Sequence, residues 1–454
     1  MNVSFFGELL SAISDRGRQL LDLSGIASSQ DETVEGLSEA LLSGRGEASG
    51  VALAQQILAL YRELNDEQRL EFFRFLAGSF GPDPEQVATT ARAYLQAPGS
   101  DTLKRLTQAV ESPRQEFLHR LNLAPGATGD IVRMRSDLLR LGKSDEALAA
   151  LDRDFVTELT SWFNRGFLVL QRIDWSTPAN ILEKIIRYEA VHEIQGWEDL
   201  RRRLDPADRR CFAFFHPSLV DEPLIFVQVA LSREIPSSIR NVLEEEKREP
   251  SEISDPKTAV FYSISNCQKG LAGISFGNFL IKQVVEDLAR AIPSLRTFVT
   301  LSPVPGFSAW LARARSSHLL DYLDSTDLAL FDNLSDAEWI ADEELAEALK
   351  TPMMAAAAHY FLAAKNIHGR PVDPVARFHL GNGARLERIN WLGNPSQRGL
   401  AEAHGFMVNY LYDLRDIERN HELFANAGEV VASKAVRSHL RVPEKSQALA
   451  VVDE

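Results

Sequence analysis

Two periodicities divide this chain, and the switch between them limits the fold more than any other feature. From about residue 33 to 163, apolar side chains recur every three or four positions, as in Leu53, Ile57, Leu60 and Leu64, and again in Leu103, Leu106 and Val110. That spacing gathers them on one face of a helix. Helix punctuation agrees: Asp83 before Pro84 reads as an N-cap followed by a first-turn proline, and Pro98-Gly99 and Pro125-Gly126 read as breaks. After Gly166 the texture changes to short runs rich in β-branched and aromatic residues, FLVLQRIDW, CFAFFHP and PLIFVQVAL, which read as strands. More strands are expected at AVFYSIS and RTFVTLS, with a helix between them reaching about Ala291 and a helical stretch from Ser308 to about Ala364. The charged segment from Glu244 to Lys257, with Pro250 and Pro256, reads as a surface loop. A chain of 454 residues exceeds the size at which single cores stop growing. The pattern therefore predicts a multidomain α and α+β protein, an all-helical bundle over 1–165 followed by an α/β domain over 166–454.

Charge and cysteine content narrow the function classes. A formal net charge of −15, from 64 acidic and 49 basic residues, disfavours wrapping nucleic acid or lying on an anionic membrane. Cys211 and Cys267 are the only cysteines, too few for a disulfide framework or a thiolate zinc site, so a reducing cytoplasm is expected. The first residues, MNVSFFGELLSAISDRGRQLLDLSG, show no basic region before a long apolar run and carry acids that transit peptides avoid. No stretch reaches the roughly 18 uninterrupted apolar residues of a membrane span, and VVDE is not a peroxisomal tripeptide. Histidines and carboxylates do not fall at metal-ligand spacing, so no metal is expected.

Three segments carry residues suited to chemistry. In GLAGISFGNFLIK, Gly270, Gly273 and Gly277 recur where a helix should begin; glycines let backbone amides approach a ligand, and free N–H groups at a helix start attract phosphate such as a CoA pyrophosphate. The same glycines equally suit a purely structural turn. In TLSPVPGF, Pro303 pushes Ser302 toward an extended conformation and two prolines stiffen the segment that presents its hydroxyl, though a strand-ending turn reads the same way. No G-x-S-x-G elbow surrounds Ser302, which argues against a hydrolase nucleophile. In PVDPVARFHLGNGARLERINW, Asp373 and Pro374 read as N-cap and first-turn proline of a short helix, Gly381-Asn382-Gly383 as a stop before a strand, and His379 as either a structural histidine or a proton-transfer group. Downstream, Asn409, Tyr410 and Tyr412 in GFMVNYLYDL are core residues or pocket lining.

In order along the chain, HPSLVDEPLIFVQVAL, FYSISNCQKGLAGISFGNFLIK, TLSPVPGF, FHLGNGARLERINW and GFMVNYLYDL resemble the motif series of malonyl-CoA decarboxylases, closely over about residues 165 to 415. The helical region is similar to that family's helical domain in character and length. The resemblance implies a helical oligomerisation domain followed by a GNAT-like (acetyltransferase-like) catalytic domain that binds CoA without an added cofactor. It implies Ser302 and His379 as the catalytic pair, Ala272, Gly273, Ile274, Ser275, Phe276, Gly277 and Asn278 as the CoA-binding loop, and Tyr412 as pocket lining. Lys184 lies in a matching block, RIDWSTPANILEKI, and joins the candidates. Ser275 departs from the pattern, since animal members carry Glu there. The implied reaction turns malonyl-CoA into acetyl-CoA and carbon dioxide through a thioester enolate that His379 protonates, in a homotetramer. One rival is a GNAT-type acyltransferase, which keeps the CoA loop and adds an acceptor pocket; another is a non-catalytic acyl-CoA sensor.

Overall fold

A computed structural model describes residues 33–43, 46–143, 145–163, 165–244, 255–274, 280–335 and 338–441. The chain divides into two compact units, one of Met1–Val169 with Phe215–Leu224 and Gln268–Phe276, the other of Leu170–Phe214, Ile225–Cys267 and Gly277–Glu454.

Among the described residues the first unit holds α1 (Val34–Leu42), α2 (Glu47–Glu63), α3 (Asp66–Ser79), α4 (Pro84–Gln96), α5 (Ser100–Val110), α6 (Pro113–Leu121), α7 (Ala127–Leu141) and α8 (Leu148–Trp162). Their starts are written in the sequence. Asp83 accepts from the Glu85 amide ahead of Pro84, and Asn65 and Gln68 form a reciprocal capping box on α3. Leu53, Ile57, Phe72, Phe73, Leu76, Phe117, Ile131, Met134, Phe155 and Leu159 make a core from α2, α3, α6, α7 and α8. The hairpin of α4 and α5 behaves differently: α4 buries no residue and α5 buries Ala109 alone. Leu103 and Val110, helical as expected, therefore face outward, and Leu95 is 77% exposed.

The later segment of this unit is seated on α7. Gly270 lies so close that an added Cβ would stand 1.8 Å from the Val132 carbonyl oxygen, which only glycine avoids. Arg135, oriented by Asp152 at 2.8 Å, donates to the carbonyls of both Gly270 and Ala272, each at 2.8 Å.

The strands expected from sequence appear as β1 (Val169–Ile173), β2 (Arg209–Phe215), β3 (Pro223–Ser232), β4 (Thr258–Asn266) and β5 (Thr297–Thr300). β6 (Ser302–Pro303), β7 (Arg385–Asn390) and β8 (Met407–Leu411) complete one mixed sheet in the order β1-β2-β3-β4-β5-β8-β6, with β7 on β8. GFMVNYLYDL, left as core or lining by its sequence, contributes β8. The register of β3 against β4 slips between Gln228 and Val229, so Tyr262 is the extra residue of a bulge. β4 and β5 pair in parallel only from Thr258↔Thr297 to Phe261↔Thr300, and β4 then runs on to Asn266. The helix Leu280–Ala291 joins these two strands. The stretch expected to be helical from Ser308 to Ala364 is broken into Phe307–Ser316, Ser325–Leu330 and Glu343–Leu362 with 3-10 turns. Most of the loop expected from Glu244 to Lys257 lies outside the described residues.

Candidate active site

Where β4 continues past the end of its pairing with β5, the second unit encloses a cavity of about 240 Å³. β4 contributes Phe261, Tyr262, Ile264 and Asn266; β6 contributes Ser302 and Pro303; a helix over Pro374–Gly381 contributes Pro374, Val375, Phe378 and His379; Val191 completes the described lining. Among the described residues, no lysine or arginine lines it.

Ser302 is aimed by the local failure of backbone pairing. β5 and β8 pair at Val299↔Leu411, and β6 resumes at Ser302↔Val408; between these points side chains replace the ladder. Asn409 Nδ2 donates to the Thr300 carbonyl at 2.7 Å, and the Tyr410 amide donates to Thr300 Oγ1 at 3.1 Å. Ser302 Oγ donates to the same Thr300 Oγ1 at 2.9 Å. His379 Nε2 lies 3.1 Å from Ser302 Oγ, and Nδ1 lies 2.8 Å from the Tyr412 hydroxyl. Because a serine has one proton and Ser302 directs it to Thr300, its oxygen faces Nε2 as an acceptor. The pattern thus assigns the proton to Nε2 and leaves Nδ1 to accept from Tyr412.

Electrostatics hold this arrangement neutral. His379 is 3% exposed, and burial lowers its pKa to about 3, equivalent to roughly 5 kcal/mol against the cation. Its place in the last turn of the Pro374–Gly381 helix favours the cation by only ~0.3–1 kcal/mol, so desolvation wins. Burial pushes the Tyr412 phenol well above its ordinary value, so it keeps the proton it donates. The Tyr410 ring stacks on the imidazole at 4.5 Å and 24°.

The helix carrying His379 begins where sequence placed it. Asp373 caps it, accepting from the Ala376 amide at 2.6 Å, and also accepts from the Tyr360 hydroxyl at 3.0 Å. Gly383, in left-handed backbone at φ 81°, lies just beyond its end, where an added Cβ would collide with the Ile417 carbonyl oxygen at 2.1 Å.

Of the residues proposed from sequence, Ser302 and His379 meet in the cavity. Tyr412, expected to line it, is buried behind His379 and is absent from the lining. Its strand ends one residue earlier, so the side chain supports the imidazole instead. Ala272, Gly273 and Ile274 belong to the first unit, where Gly273 adopts left-handed backbone at φ 78° and Ile274 is buried. Ser275, Phe276, Gly277 and Asn278 lie outside the described residues. Lys184 is half-buried on the helix Ala179–Tyr188 and does not line the cavity. Sequence reasoning missed Thr300 as an anchor, Tyr410 as a stacking partner, and Val191 and Asn266 as lining. The two-residue period of a strand relates Tyr410 to Tyr412 and Thr300 to Ser302. Among the described residues, no group of three or more His, Cys, Asp or Glu side chains is placed to hold a metal ion.

Comparison with known proteins gives a consistent result along the chain. The model of the malonyl-CoA decarboxylase C-terminal domain matches residues 166–450, and that of the malonyl-CoA decarboxylase N-terminal domain matches residues 80–163. The mitochondrial malonyl-CoA decarboxylase of Anser anser anser is 37% identical over 421 residues, covering 84% of this chain and 82% of the relative. The crystal structure of malonyl-CoA decarboxylase from Rhodopseudomonas palustris is 55% identical, with a TM-score of 0.86 over 89% of this chain and 98% of that one. That from Agrobacterium vitis is 53% identical, with a TM-score of 0.84 over 89% and 99%.

The buried cap of the catalytic helix yields a pH prediction. Burial raises the Asp373 pKa from 3.8 to about 6, against the lowering effect of its hydrogen bonds and of Arg377. Between those values the folded chain holds a proton that the unfolded chain releases. Stability from this group is therefore full below the unfolded pKa and falls by ~3 kcal/mol as pH rises through about 6. Asp373→Asn keeps the cap and removes the ionisation, so the stability of the variant relative to wild type should improve by ~3 kcal/mol between pH 4 and pH 7.5 in urea titrations. A difference constant across that range contradicts the assignment.

Proposed function

The chain belongs to the malonyl-CoA decarboxylase family, a carboxy-lyase that converts malonyl-CoA to acetyl-CoA and carbon dioxide, and we propose that His379 and Ser302 carry that chemistry in the cavity between β4 and the Pro374–Gly381 helix. The observation that supports this reading most is that a largely apolar cavity, lined by no lysine or arginine among the described residues, holds a buried histidine whose Nε2 faces Ser302 Oγ at 3.1 Å and whose cation is disfavoured by burial. A carboxylate brought there loses hydration and meets no lysine or arginine among the described lining residues to hold its charge, which favours departure as neutral carbon dioxide. The bond from the α-carbon to the carboxylate breaks, and its electron pair passes into the thioester as an enolate. The α-carbon then takes the Nε2 proton. Nε2 regains a proton from solvent, so one proton is consumed per turnover. A neutral imidazole in a desolvated site suffices as an acid here, because the α-carbon of a thioester enolate is far more basic than the imidazole nitrogen. Ser302 turns its hydroxyl from Thr300 to the carboxylate and aligns the breaking bond with the thioester π-system.

The acyltransferase reading fares worse on the same geometry. It needs a base to take a proton from an acceptor, whereas the free lone pair of His379 is on Nδ1 and occupied by Tyr412. CoA binding by residues 272–278 remains part of this proposal, supported by the left-handed backbone of Gly273. So does a cytoplasmic location, with which a chain holding only two cysteines, both buried, is compatible.

We also propose a homo-oligomer, a tetramer, assembled through the helical region. The hairpin of α4 and α5 supports it, since Leu95, Leu103 and Val110 are exposed on helices that bury almost nothing within the chain. Light scattering should give a multiple of 50.6 kDa that Leu103→Glu reduces; a wild-type particle of 50.6 kDa at micromolar concentration contradicts it.

Release of carbon dioxide from carboxyl-labelled malonyl-CoA, with no acceptor present, tests the catalytic assignment. Ser302→Ala and His379→Asn should each lower kcat at least ~10²-fold with the near-UV circular dichroism spectrum unchanged. Retention of a tenth of wild-type turnover by either variant contradicts the proposed role of that residue.

A further inference from the structure

One buried carboxylate in the second unit stands outside the reaction just described. Glu189 follows the helix Ala179–Tyr188, is 8% exposed, and has no ion-pair partner among the described residues. Hydrogen-bond donors alone satisfy it. Its Oε1 accepts from the amides of Val191 at 2.8 Å and His192 at 2.9 Å. Ser263 Oγ reaches both oxygens, at 2.8 and 2.7 Å, and Ser265 Oγ approaches Oε1 at 3.3 Å. Gln228 Nε2 donates to Oε2 at 2.9 Å, while the Oε1 of the same glutamine accepts the Tyr262 hydroxyl at 2.8 Å.

These bonds converge on one wall of the cavity. Val191 is held through its backbone, Tyr262 through Gln228, and Ile264 stands between the two serines; all three line the cavity. The carboxylate also binds Gln228 and Ser263, the paired residues that border the bulge at Tyr262. A bulge left to itself disrupts pairing and lets the strand bend. Here an anion with two oxygens gathers donors from the bulged strand, from its neighbour β3 and from the segment after the helix. No neutral side chain accepts as many bonds at one point, because an amide of the same shape has one acceptor oxygen and brings two donors of its own.

We propose that Glu189 is a positioning residue for decarboxylation, fixing the wall of Val191, Tyr262 and Ile264 that holds the malonyl group against Ser302 and His379. This rests on the reading of the cavity as the acyl site. Its effect is on alignment of the breaking bond, so it falls on kcat, where small displacements of a held substrate are expensive.

The test is Glu189→Gln, isosteric with the natural residue, assayed by carbon dioxide release from malonyl-CoA. Expected is a fall in kcat of at least tenfold with near-UV circular dichroism unchanged. The double variant Glu189→Gln with Gln228→Glu moves the carboxylate across the same hydrogen bond, still facing the Tyr262 hydroxyl, and should recover at least threefold of that loss. A merely structural role would move stability without this recovery in kcat. A smaller fall in kcat, or no recovery, overturns the proposal. Should Glu189→Gln fail to fold, Tyr262→Phe cuts the relay at its far end and should lower kcat at least threefold, and an unchanged kcat overturns it equally. If Ser302→Ala and His379→Asn leave kcat intact, the reading of the cavity falls; if they abolish turnover while Glu189→Gln does not lower it, only this proposal falls.

Discussion

The hydrogen bond from the Tyr412 hydroxyl to His379 Nδ1, formed where water does not reach, is the constraint on which the site depends. An exposed histidine would divide its proton between two nitrogens and titrate near neutrality. Here burial removes the cation and the tyrosine occupies one nitrogen, so a single form remains, with the proton on Nε2 facing Ser302 and the cavity. The resulting polarity runs opposite to a serine hydrolase, in which the histidine accepts from the serine. Ser302 is not activated as a nucleophile, and the absence of a nucleophile elbow in the sequence agrees with this.

That bond is possible because a strand from the end of the chain lies between two others. β8 pairs with β5, β6 and β7, and residues at a two-residue spacing, Tyr410 and Tyr412, meet the imidazole by its face and by Nδ1. The interruption of the ladder at Thr300 frees a hydroxyl and a carbonyl that Tyr410, Asn409 and Ser302 then share. Regular pairing would have stabilised the sheet more simply and left Ser302 without its anchor. On the other wall the Glu189 web holds the bulge of β4, so both sides of the cavity are built from departures from regular sheet structure.

What was legible in the sequence follows from how local each signal is. The N-cap at Asp373, the proline after it and the glycine stop set the helix that carries His379, all within a dozen residues, and all were readable. Helix periodicity in the first unit was readable too, but it does not say whether an apolar stripe meets its own core, and Leu103 and Val110 face outward. β8 was missed as a strand because Asn409, of a type depleted in strands, interrupts its apolar run, although Met407 to Tyr410 are all buried. Val191 and Glu189 lie over a hundred residues before Ser302, and only the folded sheet brings them to one cavity. The pairing of Ser302 with His379 came from resemblance, since no spacing rule links residues so far apart.

The proposed chemistry requires His379 to be neutral and protonated on Nε2 throughout the working range of pH. Nitrogen-15 NMR of protein labelled at histidine, with His379 assigned by comparison with His379→Asn, reads both facts at once. A protonated-nitrogen shift at Nε2 and an acceptor shift at Nδ1 are expected, unchanged from pH 5.5 to 8 because burial lowers the pKa to about 3. Titration of this residue to an imidazolium near pH 6.5, or a proton found on Nδ1, would contradict it.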